Sequence, residues 1–432
     1  VTDHAEPAAG RAAGKAHASM NADIEHLLRV EAPQVLGALV RRFGRFDVAE
    51  DAVQEALLTA SRIWPADGVP DNPRSWLIRI GYRRMVDLLR ADQSRRRREQ
   101  EAGVAELAMR EPDRRPGTAR ETDDSLALLL LCCHPALSAT SQVALTLRAV
   151  GGLTTAEIAH AHGTPENTMG TRISRAKQRL ARAGARFTPP TDTDRESRMA
   201  AAMQVLYLIF NEGYTASTGD WLARIDLTSE AIRLTRMLHA SVPADVEVTG
   251  LLALMLLTEA RRPARTSGHD ELVPLDEQDR TRWDRDLIRE GTELIDSVWD
   301  RREVGPYQLQ AAIAAVHAAA TSPQQTDWPQ IAALYLWLER LNPIPPVRLS
   351  RVVAVAKAYG PVRGLALLDD LNRRFQLGQD PLIRQRERAV RAHLLQMTGD
   401  AADAARLYRE AASLTGNLVE QRYLLDQADR LG

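Results

Sequence analysis

Leu153-Thr-Thr-Ala-Glu-Ile-Ala-His-Ala-His-Gly-Thr-Pro-Glu-Asn-Thr-Met-Gly-Thr-Arg-Ile173 reads as two short helices joined by a tight turn. Thr154 stands three residues before Glu157, the spacing of a reciprocal capping box, and opens a first helix whose Ile158 and Ala159 form an apolar face. Gly163 supplies the turn. Thr164 is read as the cap of a second helix with Pro165 in its first position, where a missing N–H costs nothing. Met169, Ile173, Ala176 and Leu180 recur on one face of that helix, and the other face carries Glu166, Asn167, Thr171, Arg172, Ser174, Arg175 and Gln178. From Arg172 to Arg186 there are six cations and no carboxylate, as suits a helix entering a major groove between phosphates. The pattern is a helix-turn-helix with a DNA-facing surface; an ordinary antiparallel helix pair with a solvated basic face carries the same periodicity.

Toward the N-terminus lies a second basic concentration. Arg74, Arg79, Arg83, Arg84, Arg90 and Arg95–Arg98 make nine cations between residues 74 and 98, against Asp87 and Asp92. Trp76 and Tyr82 interleave with them, and rings beside cations suit a surface that stacks unpaired bases while holding phosphates. Trp76 alone reads equally well as a core residue of a three-helix bundle. The first helix shows a stripe of Ile24, Leu27, Leu28, Val35, Leu36, Leu39 and Val40. Asp47-Val-Ala-Glu50 has capping-box spacing and is read as the start of a second helix, which Pro65 ends after Trp64. A third helix follows Asn72-Pro73. Asp51, Gln54 and Glu55 form a polar surface on the second helix, by itself an ordinary solvated face.

The chain has 432 residues, 44% hydrophobic and 26% charged, which suits several soluble domains. Its longest apolar stretches, Leu126–Cys133 and Gly250–Leu257, fall far short of the ~20 residues that span a bilayer. Cys132 and Cys133 are adjacent and cannot build a disulfide framework, and no CxxC or Cys/His spacing suggests a metal site, so a cytoplasmic setting without cofactor is expected. No GxSxG, phosphate loop or HExxH arrangement is present, and the chain is not read as an enzyme. Pattern divides it into a loose tail (1–20), a helical block (21–98), a charged linker (99–124), a second helical block containing the turn motif (125–186) and a long helical remainder (187–432). The predicted class is all-α throughout. The net charge of −1 averages unlike parts, since residues 1–190 hold 27 Lys+Arg against 23 Asp+Glu and residues 191–432 hold 29 against 34.

Ala49-Glu-Asp-Ala-Val-Gln-Glu-Ala56, Asn72-Pro-Arg-Ser-Trp-Leu77, Arg83-Arg-Met-Val-Asp87 and the turn motif running into Arg175-Ala-Lys-Gln-Arg-Leu180 stand in the order of regions 2 and 4 of an extracytoplasmic-function sigma factor. Over about residues 21–185 the chain resembles that branch of the sigma-70 superfamily. The resemblance implies that Asp51, Gln54 and Glu55 face the β′ coiled coil of core RNA polymerase, with the β flap as a further contact. It implies that Trp76, Arg79, Arg83 and Arg84 hold the melted −10 element, behind a base-capturing loop at about residues 67–72. It implies that Glu166, Asn167, Thr171, Arg172 and Arg175 read the −35 duplex. Gly170 departs from the long, often basic, side chain common in the broader family, and close approach to DNA would compensate its poor helix propensity.

Leu206-Tyr-Leu-Ile-Phe-Asn-Glu-Gly-Tyr214, Gly250–Leu257, Asp279-Arg-Thr-Arg-Trp-Asp284 and Gly305-Pro-Tyr-Gln-Leu-Gln-Ala-Ala-Ile-Ala-Ala315 resemble the extension of the subgroup with a tetratricopeptide-like C-terminal domain. Ala392, Leu395, Gly399, Ala404, Tyr408 and Ala411 fall at the offsets of one such repeat, and Ala356, Gly360 and Leu365 at those of a weaker one. Residues 211–214 and Trp283/Asp284 are read as helix packing rather than as a ligand pocket. The acidic excess argues against an extra DNA clamp, so this part is expected to regulate sigma activity through a protein or intramolecular contact. The competing reading of the whole chain is a conventional helix-turn-helix regulator with a protein-binding helical-repeat domain.

Overall fold

The computed structural model describes residues 8–100, 124–162, 164–185, 187, 192–215, 225–267, 271–301 and 303–432, with the side chains of 8–22, 25–26, 92–100, 160–161, 192–194 and 225–226 set aside. The described residues are helical, with no strand beyond an isolated bridge between Thr266 and Leu272. They form two compact units, residues 1–160 with 164–205, and residues 206–432 with 161–163.

The first unit opens with α1 (Ala8–Phe43), α2 (Phe46–Asp67) and α3 (Pro73–Gln100). The predicted stripe is buried at Ile24, Leu28, Val35, Leu36, Leu39 and Val40, joined by Trp64, Leu77 and Met85. Each such side chain contributes roughly 1.5–3 kcal/mol by leaving water. Helix α1 begins at Ala8, within the segment that composition assigns to a tail; its alanines are the strongest helix formers. The start of α2 differs from the capping-box reading. Arg45 is the cap residue, Asp47 is ion-paired back to Arg45 at 2.8 Å, and Glu50 turns inward to 2% exposure, so it cannot fold back over the helix start. The helix also runs two residues beyond Pro65 before Gly68 ends it. Asn72 accepts the Ser75 N–H at 2.9 Å ahead of α3.

The next four helices are α4 (Ser125–Cys132), α5 (Ala139–Ala149), α6 (Thr155–Ala161) and α7 (Glu166–Arg182). The capping box at Thr154 forms as read, Glu157 N–H donating to Thr154 Oγ1 at 3.1 Å and Thr154 N–H to Glu157 Oε2 at 2.7 Å. Helix α7 starts one residue later than the sequence suggests. Pro165 (φ −59°, ψ 143°) takes the cap position and its carbonyl accepts the Met169 N–H at 3.1 Å, and the buried Thr164 hydroxyl has no partner among the described residues. Met169, Ile173, Ala176 and Leu180 are buried as predicted. Cys132 and Cys133 are unpaired and fully buried, and burial pushes the Cys133 thiol up to about 12.

The chain continues through α8 (Asp192–Tyr214), α9 (Ile225–Ser241), α10 (Val246–Glu259), α11 (Arg285–Trp299) and α12 (Pro306–Ala319). Nearly every residue of α10 is buried, which marks it as the central helix of its neighbourhood. Its Glu247 accepts the Tyr307 and Gln308 N–H groups at 3.0 Å each and so caps α12 from a neighbouring helix. Trp283 is buried and Asp284 caps α11, accepting from Asp286 and Leu287 N–H, so both serve packing. Tyr214 lies under the Arg265 guanidinium at 3.6 Å.

Helices α13 (Trp328–Leu341), α14 (Pro345–Tyr359), α15 (Pro361–Phe375), α16 (Arg384–Thr398), α17 (Ala401–Leu414) and α18 (Leu418–Asp429) complete the unit. Ala392, Tyr408 and Ala411 meet in the core between α16, α17 and α18, and Ala356 meets Leu368 and Leu394 in the preceding one. These are the helix pairs that the repeat offsets foretell.

A buried histidine gives this unit an acid limit. Burial, then the charges of Arg261 and Arg280, hold His317 down at about 3 from an ordinary value of 6.5. Between those values the unfolded chain binds a proton that the folded chain refuses, so stability falls as pH drops from 6.5 toward 3 and is level above 6.5. The expected slope from this group is at most about 1.4 kcal/mol per pH unit. Urea melts monitored by Trp fluorescence should show it, and His317→Gln should flatten it; an unchanged slope in that variant contradicts the assignment.

Candidate nucleic-acid and polymerase interface

On α3, Arg79 and Arg83 stand one helical turn apart and are exposed. Arg84 is half-exposed and paired with Glu55 of α2 at 2.6 Å, while Arg74 is paired with Glu31 of α1 at 2.6 Å. Trp76 is half-buried, edge-on to the buried Trp64 with centroids 5.5 Å apart, so it serves the core and keeps one edge at the surface. Tyr82 is exposed beside Phe43 at 5.3 Å. The side chains of Arg95–Arg98 lie outside those described. The result is a cationic surface with rings at its margin, suited to phosphates and unstacked bases.

On α7, Glu166, Asn167, Thr171 and Arg175 are exposed and so is Arg172 in part, on the face opposite the core stripe. Asn167 Oδ1 accepts the Thr168 N–H at 2.7 Å, and the Thr171 hydroxyl donates to the Asn167 carbonyl at 2.9 Å. Gly170 lines a cleft of about 900 Å³ with Asp51, Leu88, Lys177 and Gln178, on the side of the helix that faces α2.

The basic run of α7 is not wholly a phosphate-facing surface. Lys177 is buried, its Nζ donating to Glu50 Oε2 at 2.8 Å and to Asp51 Oδ1 at 2.5 Å. Arg148 of α5 donates to the other Glu50 oxygen at 2.8 Å. Burial raises the Glu50 carboxyl, but Lys177 and Arg148 outweigh it and hold the group below its ordinary value. Burial likewise opposes the Lys177 charge, and the two carboxylates outweigh it and hold that group up. For Asp51 burial prevails over the Lys177 hydrogen bond and the carboxyl is raised. Asp51 accepts from Lys177 but keeps a side chain 60% exposed, Glu55 is exposed and shared with Arg84, and Gln54 is half-buried.

Sequence reading passed over the Glu50–Lys177 pair, although a signal was present. Glu50 sits among Ala49, Ala52 and Val53, and Lys177 between Ile173, Ala176 and Leu180, each a charge on the apolar stripe of its own helix. Opposite charges in such positions are seldom buried unless they meet. Among the described residues no group of three His, Cys, Asp or Glu is placed to hold a metal ion, and no helix is long and apolar enough to cross a membrane.

Three families match successive parts of the chain: sigma-70 region 2 over residues 27–96, sigma-70 region 4 over residues 127–180, and a family of unknown function, DUF6596, over residues 198–299. An uncharacterised protein of Rhizobium meliloti (strain 1021) is 42% identical over 402 residues, which cover 92% of this chain and 93% of that protein. The crystal structure of a thermophilic TPR protein of Thermus thermophilus aligns at 16% identity with a TM-score of 0.35, over 53% of this chain and 99% of its own. With the three helices of region 2, the turn motif of region 4 and a helical extension in this order, the chain belongs to the sigma-70 superfamily, whose members bring core RNA polymerase to promoters.

Proposed function

We propose that this sigma factor melts as well as recognises its promoter, with Arg79, Arg83 and Arg84 on the phosphates of the opened −10 strand and Trp76 at the edge of the unpaired bases. Glu166, Asn167, Thr171, Arg172 and Arg175 read the −35 duplex from the major groove. Asp51, Gln54 and Glu55 meet the β′ coiled coil, and the second helical block meets the β flap. The observation that carries the reading is the exposed Arg79–Arg83 face of α3 beside rings, in the same unit as an exposed polar and cationic face on α7. The Arg84–Glu55 pair joins a proposed DNA contact to a proposed polymerase contact, so both side chains would exchange partners on assembly. The acidic C-terminal helices regulate this activity through protein contacts rather than through DNA.

A gel-shift experiment separates the reading from its main rival. Promoter fragments should be bound specifically only when core polymerase is present. A specific shift of duplex DNA by the chain alone, unaffected by core, identifies a conventional helix-turn-helix regulator instead.

A further inference from the structure

In the second unit the charges of one short loop reach four helices that stand two apart in the chain. Asp276 accepts from Lys357 Nζ, in the last turn of α14, at 2.5 Å. The Asp276 charge also acts on His317 of α12, His393 of α16 and Tyr423 of α18, and Glu277 acts on Tyr423 ahead of it. Alternate helices of a stacked array form one of its two faces. Lys357 follows Ala356 and His393 precedes Leu394; Ala356 and Leu394 share one core, and the Lys357 charge acts on His393, so the two polar side chains are neighbours on the adjoining face. Helix α14 packs on α16 directly, as it does on α13 and α15. The loop therefore lies against the row made by α12, α14, α16 and α18.

The base of the loop is fixed and its tip is not. Arg280, 5% exposed, donates to the His317 and Ala320 carbonyls at 2.8 and 2.7 Å and to Thr326 Oγ1 at 3.0 Å. Val273 N–H donates to the Arg265 carbonyl at 2.8 Å, and the Gln278 amide closes the neck by donating to the Val273 carbonyl at 3.1 Å. No residue of the tip, Pro274–Glu277, is buried. Its backbone bonds run within the loop, Glu277 N–H to the Pro274 carbonyl and Gln278 N–H to that of Leu275. The tip meets the helices through the Asp276–Lys357 ion pair, part-exposed at both ends, and such a pair yields readily to a competing carboxylate.

We propose that the face around Lys357, His393 and Tyr423 is a docking site for an acidic, extended segment of a partner protein, and that Pro274–Glu277 fills it in the free chain as a built-in substitute. The chemistry is read from the substitute: a proline that extends the backbone (φ −57°, ψ 151°), an apolar side chain, then two carboxylates. Burial, then the Lys357 charge, holds His393 below its ordinary value, so its imidazole is neutral and offers one N–H. Burial, then Glu277, holds the Tyr423 phenol up, so it stays protonated and offers another donor. A carboxylate can accept from each of these groups and from Lys357. Because a tethered tip competes at an effective concentration of about millimolar, a partner displaces it only by making further contacts along the row. The inference deepens the reading that the C-terminal helices act through protein contacts, and its test needs neither polymerase nor DNA.

The test uses the full chain and a fluorescein-labelled peptide with the sequence of residues 273–278 and capped ends, read by anisotropy. Asp276→Ala/Glu277→Ala, a change at two exposed positions, removes the charges of the tip and should bind the peptide about fivefold more tightly than the native chain. Adding Lys357→Glu to that variant should abolish binding, and adding Lys357→Arg should keep the affinity within about twofold, which separates loss of charge from loss of fold. A peptide with lysines in place of both carboxylates should not bind the tip variant. Equal affinities of the native chain and the tip variant, binding by neither, or binding indifferent to Lys357→Glu overturns the docking site. If the expected pattern appears while run-off transcription by the tip variant equals that of the native chain, the docking site stands and the regulatory reading falls.

Discussion

The double variant Arg79→Glu/Arg83→Glu should lose open-complex formation by at least on the order of 100-fold while core association stays within about twofold. Each charge-assisted hydrogen bond to a phosphate is worth roughly 1.5–3 kcal/mol, and reversal replaces two attractions by two repulsions. Both arginines are exposed, so the substitution leaves the fold intact. The salt dependence gives a second reading. Loss of two single-strand phosphate contacts should make the slope of log affinity against log salt shallower by about 1.4. Equal loss of core binding would place the two residues on a protein surface instead. Arg84 is left out of the variant because its pair with Glu55 mixes a DNA role with a protein one.

The other large effect falls on stability in the C-terminal unit. Glu387 of α16 is fully buried and accepts from Asn372 at 2.7 Å, Arg391 at 3.0 Å and Arg388 at 2.5 Å. Glu387→Ala removes the centre of this network and leaves the Asn372 amide unsatisfied, an expected cost of about 3 kcal/mol. Arg388 and Arg391 keep Glu410 and Asp369, which holds the loss below that of a wholly isolated charge. By contrast, Asp403→Ala breaks the exposed Arg406 pair and should cost at most about 1 kcal/mol. Calorimetry of the two variants checks the ranking; equal small effects would mean that the Glu387 network is not a support of the repeats. If the C-terminal helices regulate initiation, the Glu387 variant should also change promoter output at temperatures where its repeats have melted.

How much of this was legible in the chain depends on range. The helix-turn-helix, the buried stripe of α1, the Thr154–Glu157 capping box and the Ala392–Ala411 repeat are patterns within about 20 residues, and periodicity exposes them. The α2 start was misread because Asp47 and Glu50 have the spacing of a cap while Glu50 answers to Lys177, 127 positions away. Thr164 looked like a cap for a similar reason: local spacing allowed it, and the extended backbone at Pro165 moved the helix start past its reach. The face of α7 was legible as a face, but Lys177, one of the cations in its basic run, had been claimed by another helix. Sites that depend on a single element can be read from sequence; sites made by two elements meeting need the fold.

The most direct measurement is permanganate reactivity of thymines in the −10 region of a promoter fragment, with core polymerase, the native chain, and both together. A sigma factor that melts DNA through α3 predicts reactive thymines only when both are present, and their loss in Arg79→Glu/Arg83→Glu with core still bound. A duplex that stays unreactive while the native chain and core are both bound to it, or one opened equally well by the double variant, would contradict the account.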